Sequence, residues 1–322
     1  MDTITVVVPV FECAERFSEH LTTVRNLQEA GMGLVWVVTS SRDGSDQLAR
    51  QAHGELGGKY LEVPPGLYQA WNGGIQEVST EFVYISTVGE KVIPGGLNRL
   101  RHALHSRQAD VCFTPPFLPT ESGHSRQLRR WPIFRFQREL EKRQGEVLPS
   151  LLIAKLQATM GIFSVLGSCA SCLFRTSYLQ AHPFPARYFH YGDAAWVYEN
   201  YATARIVYLQ EPVAGFAVHG PSARHIDPRD LERLRRIIWH DLLRMPKGRP
   251  AAQALSRLSA AARYLDTQRS RRPKRLWWTK WKLLWTRLLR TQAELCFVLR
   301  LRRLEGQSPR ACFIPRGQPS SS

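Results

Sequence analysis

The chain has 322 residues, with 44 Lys+Arg against 27 Asp+Glu and a formal net charge of +17. At roughly 100–200 residues per domain that is one large domain, or one domain with an extension, and a 43% hydrophobic share excludes a wholly disordered chain. Six cysteines are too few for a disulfide scaffold, and their positions (13, 112, 169, 172, 296 and 312) have no zinc-finger spacing, so a reducing compartment is expected. The N-terminal MDTITVVVPV has no basic region before its apolar run, so no signal peptide is expected. No run of about 18 uncharged apolar residues is present, which argues against an ordinary membrane span. The charge is unevenly placed. Residues 1–228 carry 21 basic and 21 acidic side chains, and residues 229–322 carry 23 and 6. A neutral body is thus joined to a cationic C-terminal third, which suits an anionic partner.

Ile4–Phe11 is an unbroken β-branched run containing Pro9, which predicts a strand buried on both faces. Phe17, Leu21, Val24 and Leu27 follow at helical spacing, and Gly31 and Gly33 end that helix. Leu34–Thr39 reads as a second buried strand, residues 40–46 as a polar loop, and a helix opens near Ser45. Tyr60–Val63 is a third strand, broken by Pro64-Pro65-Gly66. Leu67–Val78 reads as a helix interrupted at Asn72-Gly73-Gly74, Glu81–Thr87 as a strand, Pro94–His105 as a helix and Asp110–Thr114 as a strand. Such alternation predicts an α/β fold, a mostly parallel sheet with helices on both faces.

Residues 115–150 lose the pattern and are rich in Pro and Arg (Arg126, Arg129, Arg130, Arg135, Arg138), which reads as an insertion or lid on the binding side. Ser168–Phe174 is expected as a strand, Asp193–Thr203 as a helix, and Arg205–Leu209 and Val213–Val218 as closing strands. The lone Cys169-Ala170-Ser171-Cys172 falls within the first of these and reads as structural. The expected division is a domain over 1–225, a helical basic extension over 226–305 and a disordered tail over 306–322.

Ligands of open parallel sheets bind beyond the carboxyl ends of the strands. Those ends are Pro9–Glu12, Thr39–Asp46, Val63–Gly66 and Thr87–Glu90. Neither GxGxxG nor GxxxxGK[ST] occurs, which disfavours a dinucleotide oxidoreductase and a P-loop enzyme.

The order VVVPVFE, WVVTSSRDGSD, PPGLYQAWNGGIQEVSTEFVYISTVGE, IPGGL, SCASCLFRTSYL, FHYGDAAWVY and VAGFAVHG resembles family 2 glycosyltransferases of the GT-A fold, over about residues 3–220. Gly66-x-Tyr68-x-Ala70-x-Asn72-x-Gly74 is its most specific piece. The resemblance implies an inverting enzyme that moves a sugar from a nucleotide-diphosphate sugar to an acceptor hydroxyl. Asp193 would be the catalytic base, with donor contacts from Pro9, Phe11, Glu12, Thr39, Asp43, Gly66, Tyr68, Asn72 and Thr87. Mg²⁺ or Mn²⁺ would be held by Glu90 and His219, since a hard cation takes oxygen ligands and neutralises a leaving diphosphate. The family's D-x-D reads Thr87-Val88-Gly89-Glu90 here and keeps only its last carboxylate. For Asp43 the reading as an Asx turn and helix cap stands beside the donor contact.

Within 271–304, Arg271-Arg272-Pro273-Lys274-Arg275 precedes a segment whose helical stripe is Trp278, Trp281, Trp285, Leu288 and Leu289, flanked by Lys280, Lys282, Arg287 and Arg290. Rings and cations on one helix suit an anionic membrane surface. Packing on the domain and nucleic-acid binding are the alternatives, the last being the weakest. The expected protein is a cytoplasmic glycosyltransferase, peripheral at the inner face of a membrane, that builds a surface polysaccharide or glycolipid on a glycan or lipid-linked acceptor. The alternatives are a non-catalytic sugar-nucleotide- or glycan-binding relative and a nucleic-acid binder that uses the tail.

Overall fold

The computed structural model describes residues 4–92, 95–115, 117–119, 125–127, 137–160 and 164–215. Among the described residues a seven-stranded sheet runs in the order β3-β2-β1-β4-β8-β5-β9. Its strands are β1 (Ile4–Val10), β2 (Gly33–Val38), β3 (Lys59–Glu62), β4 (Phe82–Ile85), β5 (Val111–Phe113), β8 (Cys172–Arg175) and β9 (Ile206–Tyr208). β1 pairs in parallel with β2 (Val7 with Val35) and with β4 (Val7 with Ile85). β8 is antiparallel to both β4 and β5, and β5 and β9 are parallel. The expected mostly parallel α/β sheet is therefore present, with one strand reversed.

The chain walks outward from β1 to β3 and then returns to place β4 on the other side of β1. This reversal leaves a crevice at the carboxyl ends of β1 and β4, the place where open α/β sheets hold ligands. Because β8 runs against β4, its first residue, Cys172, lies at that same edge.

Helices α1 (Ala14–Glu29), α2 (Ser45–Leu56) and α4 (Gly96–Arg107) cover one face. Their Phe17, Val24, Leu27, Ala49, Ala52, Leu97, Leu100 and Leu104 form one core with Val6, Val8 and Val10 of β1 and Trp36 of β2. Successive side chains of a strand point to opposite faces, so Val7 and Val37 serve the other side. That side is closed by α3 (Leu67–Gln76), α7 (Thr176–Ala181) and α8 (Gly192–Asn200). Here the core is aromatic: Tyr68 and Trp71 of α3, Phe174 of β8, Phe184 and Trp196 stack edge-on or tilted, with centroids 5.0–6.1 Å apart. Each fully buried large apolar side chain is worth about 1.5–3 kcal/mol. Trp196 also satisfies its indole by donating to the His182 carbonyl.

α3 is continuous where the sequence predicted a break at Asn72-Gly73-Gly74. Close approach explains the glycine. A Cβ on Gly74 would sit 2.5 Å from Val37 Cγ2 and 2.6 Å from Val7 Cγ1, so only hydrogen lets the helix rest on the sheet. Gly74→Ala gains about 1 kcal/mol of helix propensity and pays about 1–3 kcal/mol for overpacking against rigid strands. The expected result is a net loss of up to about 2 kcal/mol, read as a lower urea midpoint at unchanged slope.

Other departures are local. The strand expected from Ser168 begins at Cys172, because Ser168 caps a 3₁₀ turn, Cys169–Ser171, by accepting the Ala170 N–H. Cys169 therefore lies in that turn and not in a strand. The region expected to be irregular contains a short hairpin, β6 (Phe117–Pro119) with β7 (Ser125–Gln127), and α5 (Gln137–Glu141). α6 (Ser150–Met160) and α7 were not anticipated. Of the expected strand at 213–218, the described part makes an isolated bridge between Ala214 and Val92. Cys13, Cys112, Cys169 and Cys172 are free thiols. No helix among the described residues is long and apolar enough to cross a membrane. The proposed extension at 226–305 and the tail at 306–322 lie outside the described residues.

Candidate functional site

The carboxyl ends of β1 and β2 are tied by a polar knot. Asp43 Oδ2 accepts the Ala14 N–H (2.9 Å), and Oδ1 accepts the Ser45 N–H (3.0 Å) and the Ser45 hydroxyl. Ser45 Oγ accepts the Cys13 N–H at 2.7 Å, and Ser41 Oγ the Glu12 N–H at 3.2 Å. One carboxylate thus serves the first turn of α1 and an Asx turn that opens α2, the capping alternative read from the sequence. The Ser45 hydroxyl leads the bonds that hold the Asp43 carboxyl below its ordinary range. Thr39 is buried and extends the ladder through Thr39 N–H to Val10 O. Pro9 lies within β1, paired with Val37. Glu12 takes φ +43°, sparsely populated for a residue with a side chain, and Phe11 beside it is 48% exposed. Of the residues expected on the donor side, Phe11 presents an open ring at the crevice.

The second group is built on α3. Gly66 opens the helix with φ +156°. Asn72 spends its whole amide on one loop: Nδ2 donates to Phe184 O (2.8 Å) and Oδ1 accepts the Phe184 N–H (3.0 Å). That loop enters the 3₁₀ segment Ala186–Tyr191, which leads into α8 and Asp193. Tyr68, in the first turn of α3, donates its hydroxyl to Asp193 Oδ1 at 3.1 Å. Gly192 sits against the Tyr68 ring, where a Cβ would come within 2.5 Å of ring carbons. Burial removes water from the Asp193 carboxyl and pushes its pKa from near 3.8 up to about 6, against the Ala194 N–H and the Tyr68 hydroxyl, which favour the charged form. Asp193 still keeps part of its surface open. A partly open carboxyl poised near neutrality is what a general base needs.

The third group is at the end of β4. Thr87-Val88-Gly89-Glu90 is a tight turn, closed by Glu90 N–H to Thr87 O, with Gly89 at φ +89°. Glu90 is 4% exposed, and the Ser168 hydroxyl faces both of its oxygens, at 2.8 and 2.7 Å. Burial raises its pKa from near 4.5 to about 7, while Ser168 pulls it down. The Thr87 hydroxyl is buried without a hydrogen-bond partner among the described residues. Mg²⁺ and Mn²⁺ want several oxygen ligands in an accessible, hydrated shell. A buried carboxyl turned onto a serine, with no second carboxylate in its turn, does not offer that. No cluster of three His, Cys, Asp or Glu occurs among the described residues. The expectation that Glu90 ligates a metal therefore does not fit this arrangement, and His219 lies outside the described residues.

The ionised form of Glu90 is the one disfavoured by folding, so its contribution is fully present below about pH 4.5 and is lost as pH rises to about 7. That loss is on the order of 3 kcal/mol. Glu90→Gln is expected to flatten the stability difference between pH 5 and pH 8 by that order, measured as paired urea midpoints.

Two residues here were not singled out from sequence. Ser168 was passed over as the first residue of a strand, and nothing local marks it as the partner of a carboxyl 78 positions away. His20 of α1 is buried, with Nε2 3.3 Å from Ser86 Oγ. Burial lowers its pKa to about 4, so it is neutral at physiological pH.

No family model matches the chain, and no curated protein matches it either. Solved structures do. Staphylococcus aureus TarS superposes with a TM-score of 0.56 at 15% identity, over 81% of this chain and 43% of that one. The 1–349 fragment of TarS gives 0.55 at 16% identity, over 94% of this chain and 83% of the fragment. The same fragment in complex with UDP-GlcNAc gives 0.55 at 16% identity, over 76% of this chain and 67% of the fragment. This chain thus spans less than half of that TarS chain. At these identities the likeness concerns architecture: the chain has a GT-A glycosyltransferase fold.

Proposed function

We propose that the chain is a nucleotide-sugar-dependent glycosyltransferase that inverts the anomeric centre, with Asp193 as the base. The observation that carries this reading is Asp193 itself. It is a carboxyl pushed up to about 6, partly open, and anchored through Tyr68 to the start of α3, next to the carboxyl end of β3. The acceptor hydroxyl gives its proton to Asp193 as its oxygen attacks the anomeric carbon, and the bond to the nucleoside diphosphate breaks on the opposite face. The open face of Phe11 suits the donor base, and the fold it shares with TarS, solved with UDP-GlcNAc, supports a uridine nucleotide.

The acceptor is a glycan or lipid-linked glycan of surface polysaccharide or glycolipid synthesis. By composition, the Arg-rich 115–150 segment suits the acceptor side, and the tryptophan- and arginine-rich 271–304 segment suits attachment of a cytoplasmic enzyme to an anionic membrane surface. The sequence features described above support these assignments. A second reading draws on Glu90: with its carboxyl turned onto Ser168, the chain binds a sugar nucleotide or glycan without turnover. Incubating the full chain with UDP-, GDP- and dTDP-sugars, with Mg²⁺ and with Mn²⁺, separates the two. Nucleotide release supports the enzyme, binding without release favours the second reading, and neither from any donor removes both.

A further inference from the structure

Tyr68 was expected on the donor side, but its surroundings give it another role. Its side chain is only 2% exposed, so it offers no face on which a nucleotide could stack. The ring is fixed on three sides, by Trp71 (5.0 Å), by Phe184 (5.6 Å) and by the Gly192 backbone. The helix beneath it is fixed as well. Gly74 rests on Val7 and Val37, Asn72 grips Phe184 from both amide atoms, and Gln180 Nε2 donates to the Ile75 and Val78 carbonyls at its far end. A ring held this way keeps the hydroxyl oxygen within hydrogen-bond distance of Asp193.

The two carboxylate oxygens of Asp193 are not equivalent. Oδ1 accepts the Tyr68 hydroxyl at 3.1 Å and the Ala194 N–H at 2.7 Å. Oδ2 has no hydrogen bond among the described residues. Resting on the reading of Asp193 as base, we propose that Tyr68 is its positioning residue, holding Oδ1 so that Oδ2 is the oxygen that takes the acceptor's proton. Tyr68 keeps its own proton throughout. Burial first, then the Asp193 charge, raise its pKa well above 10, so it donates at every working pH. The proton leaves the acceptor oxygen, settles on Oδ2, and the electron pair it leaves behind forms the bond to the sugar.

Among the described residues, the groups coupled to Asp193 keep one protonation state over the range concerned. Cys169 and Cys172 are thiols raised well above their ordinary value by burial. Tyr68 is the only ionisable side chain of α3. Arg187, on the 3₁₀ segment, is committed to Glu199 and to the Tyr188 ring. A shift in Asp193 titration on Tyr68→Phe therefore reports on the loss of the Tyr68 hydroxyl.

The experiment is Tyr68→Phe in the full chain, which keeps the ring and removes the hydroxyl. A hydrogen bond to a charged group is at stake, so kcat is expected to fall on the order of tenfold or more, and the acid limb of its pH profile to move up by about one unit. UDP binding by calorimetry is expected to stay as in wild type. A donor KM that rises while the acid limb stays in place makes Tyr68 a donor-binding residue and overturns the proposal. A readout free of catalysis is the ¹³C titration of the Asp193 carboxyl in ligand-free protein, assigned by its loss in Asp193→Asn. The pKa is expected near 6 in wild type and higher in Tyr68→Phe. If no donor is turned over, the reading as an enzyme fails, while this titration still decides whether Tyr68 holds Asp193; an unmoved carboxyl overturns that. Should Tyr68→Phe fail to fold, 3,5-difluorotyrosine introduced at position 68 makes a stronger donor with the same ring. It is expected to move the carboxyl to lower pH, and no movement is equally fatal.

Discussion

Asp193→Asn is expected to lower the rate of sugar transfer by about 10³-fold, within the range that a positioned general base supplies, while nucleotide binding is retained. Asn keeps the shape of the side chain and an Oδ1 that still accepts from Tyr68 and from the Ala194 N–H, so the start of α8 stays in place. What it loses is an oxygen able to take a proton. The effect should fall on kcat, because a group that acts on the acceptor in the transition state contributes little to holding the donor in the ground state. Wild-type kcat should rise with pH through about 6, where the buried carboxyl gives up its proton, and the residual rate of the variant should lack that limb. The sign for stability is opposite. Folding raises the Asp193 pKa, so its contribution is full below about 3.8 and is lost as pH climbs to about 6. Ionised Asp193 thus opposes folding at pH 8 by an amount on the order of 3 kcal/mol. Asp193→Asn should be more stable than wild type at pH 8 and lose that advantage near pH 4, as read by urea denaturation. A variant that is slower yet more stable at neutral pH marks a site where stability is traded for chemistry. A variant equally active at every pH would remove Asp193 from the mechanism.

How much of this was legible in the chain follows from the range of the forces involved. The β1 run, the α1 stripe and the strand–helix alternation are local patterns, and the sheet with two covered faces follows from them. The reversal of β8 is not local. Nothing within Cys172–Arg175 says which way it runs; pairing with Val83 and Val111 decides it. α6 was missed because its sequence, SLLIAKLQATM, is apolar without a polar face, so no helical stripe stands out from its background. The site divides in the same way. Asp193 was singled out because FHYGDAAWVY resembles the family motif that carries the base. Asn72 and Asp43 were placed among donor contacts because residue type and spacing cannot tell a ligand contact from a structural one. Their amide and carboxylate are used inside the fold, on a loop 112 positions away and on two helix starts. Glu90 looked like the remnant of a metal motif until its burial against Ser168 was seen. For Asn72 and Glu90 the partner is remote in sequence and was not legible, whereas the Asx turn and helix cap at Asp43 stood among the readings of its local sequence.

Gly192→Ala is expected to cost both stability and transfer activity. The backbone is not the obstacle, since Gly192 has φ −60° and ψ −32°, ordinary helical values that alanine prefers over glycine by about 1 kcal/mol. The obstacle is Tyr68. A Cβ here meets its ring carbons at 2.5 Å, and the ring cannot retreat, with Trp71 and Phe184 against it. Either α8 lifts away or the ring turns, and both separate the Tyr68 hydroxyl from Asp193. Overpacking of this kind costs about 1–3 kcal/mol, so the net loss after the propensity gain is up to about 2 kcal/mol, with transfer activity falling on the order of tenfold or more. A generic packing defect predicts the same loss of stability, and a double-mutant cycle separates the two accounts. Shrinking the ring in Tyr68→Leu makes room for the methyl. Gly192→Ala with Tyr68→Leu should therefore be more stable than the sum of the single losses, by a coupling within the roughly 0.5–3 kcal/mol typical of touching residues. It should not recover activity, because leucine brings back no donor for Oδ1. Recovery of both stability and rate would show that Gly192 matters only for space. Recovery of stability alone ties the glycine before the aspartate to the hydroxyl that positions it.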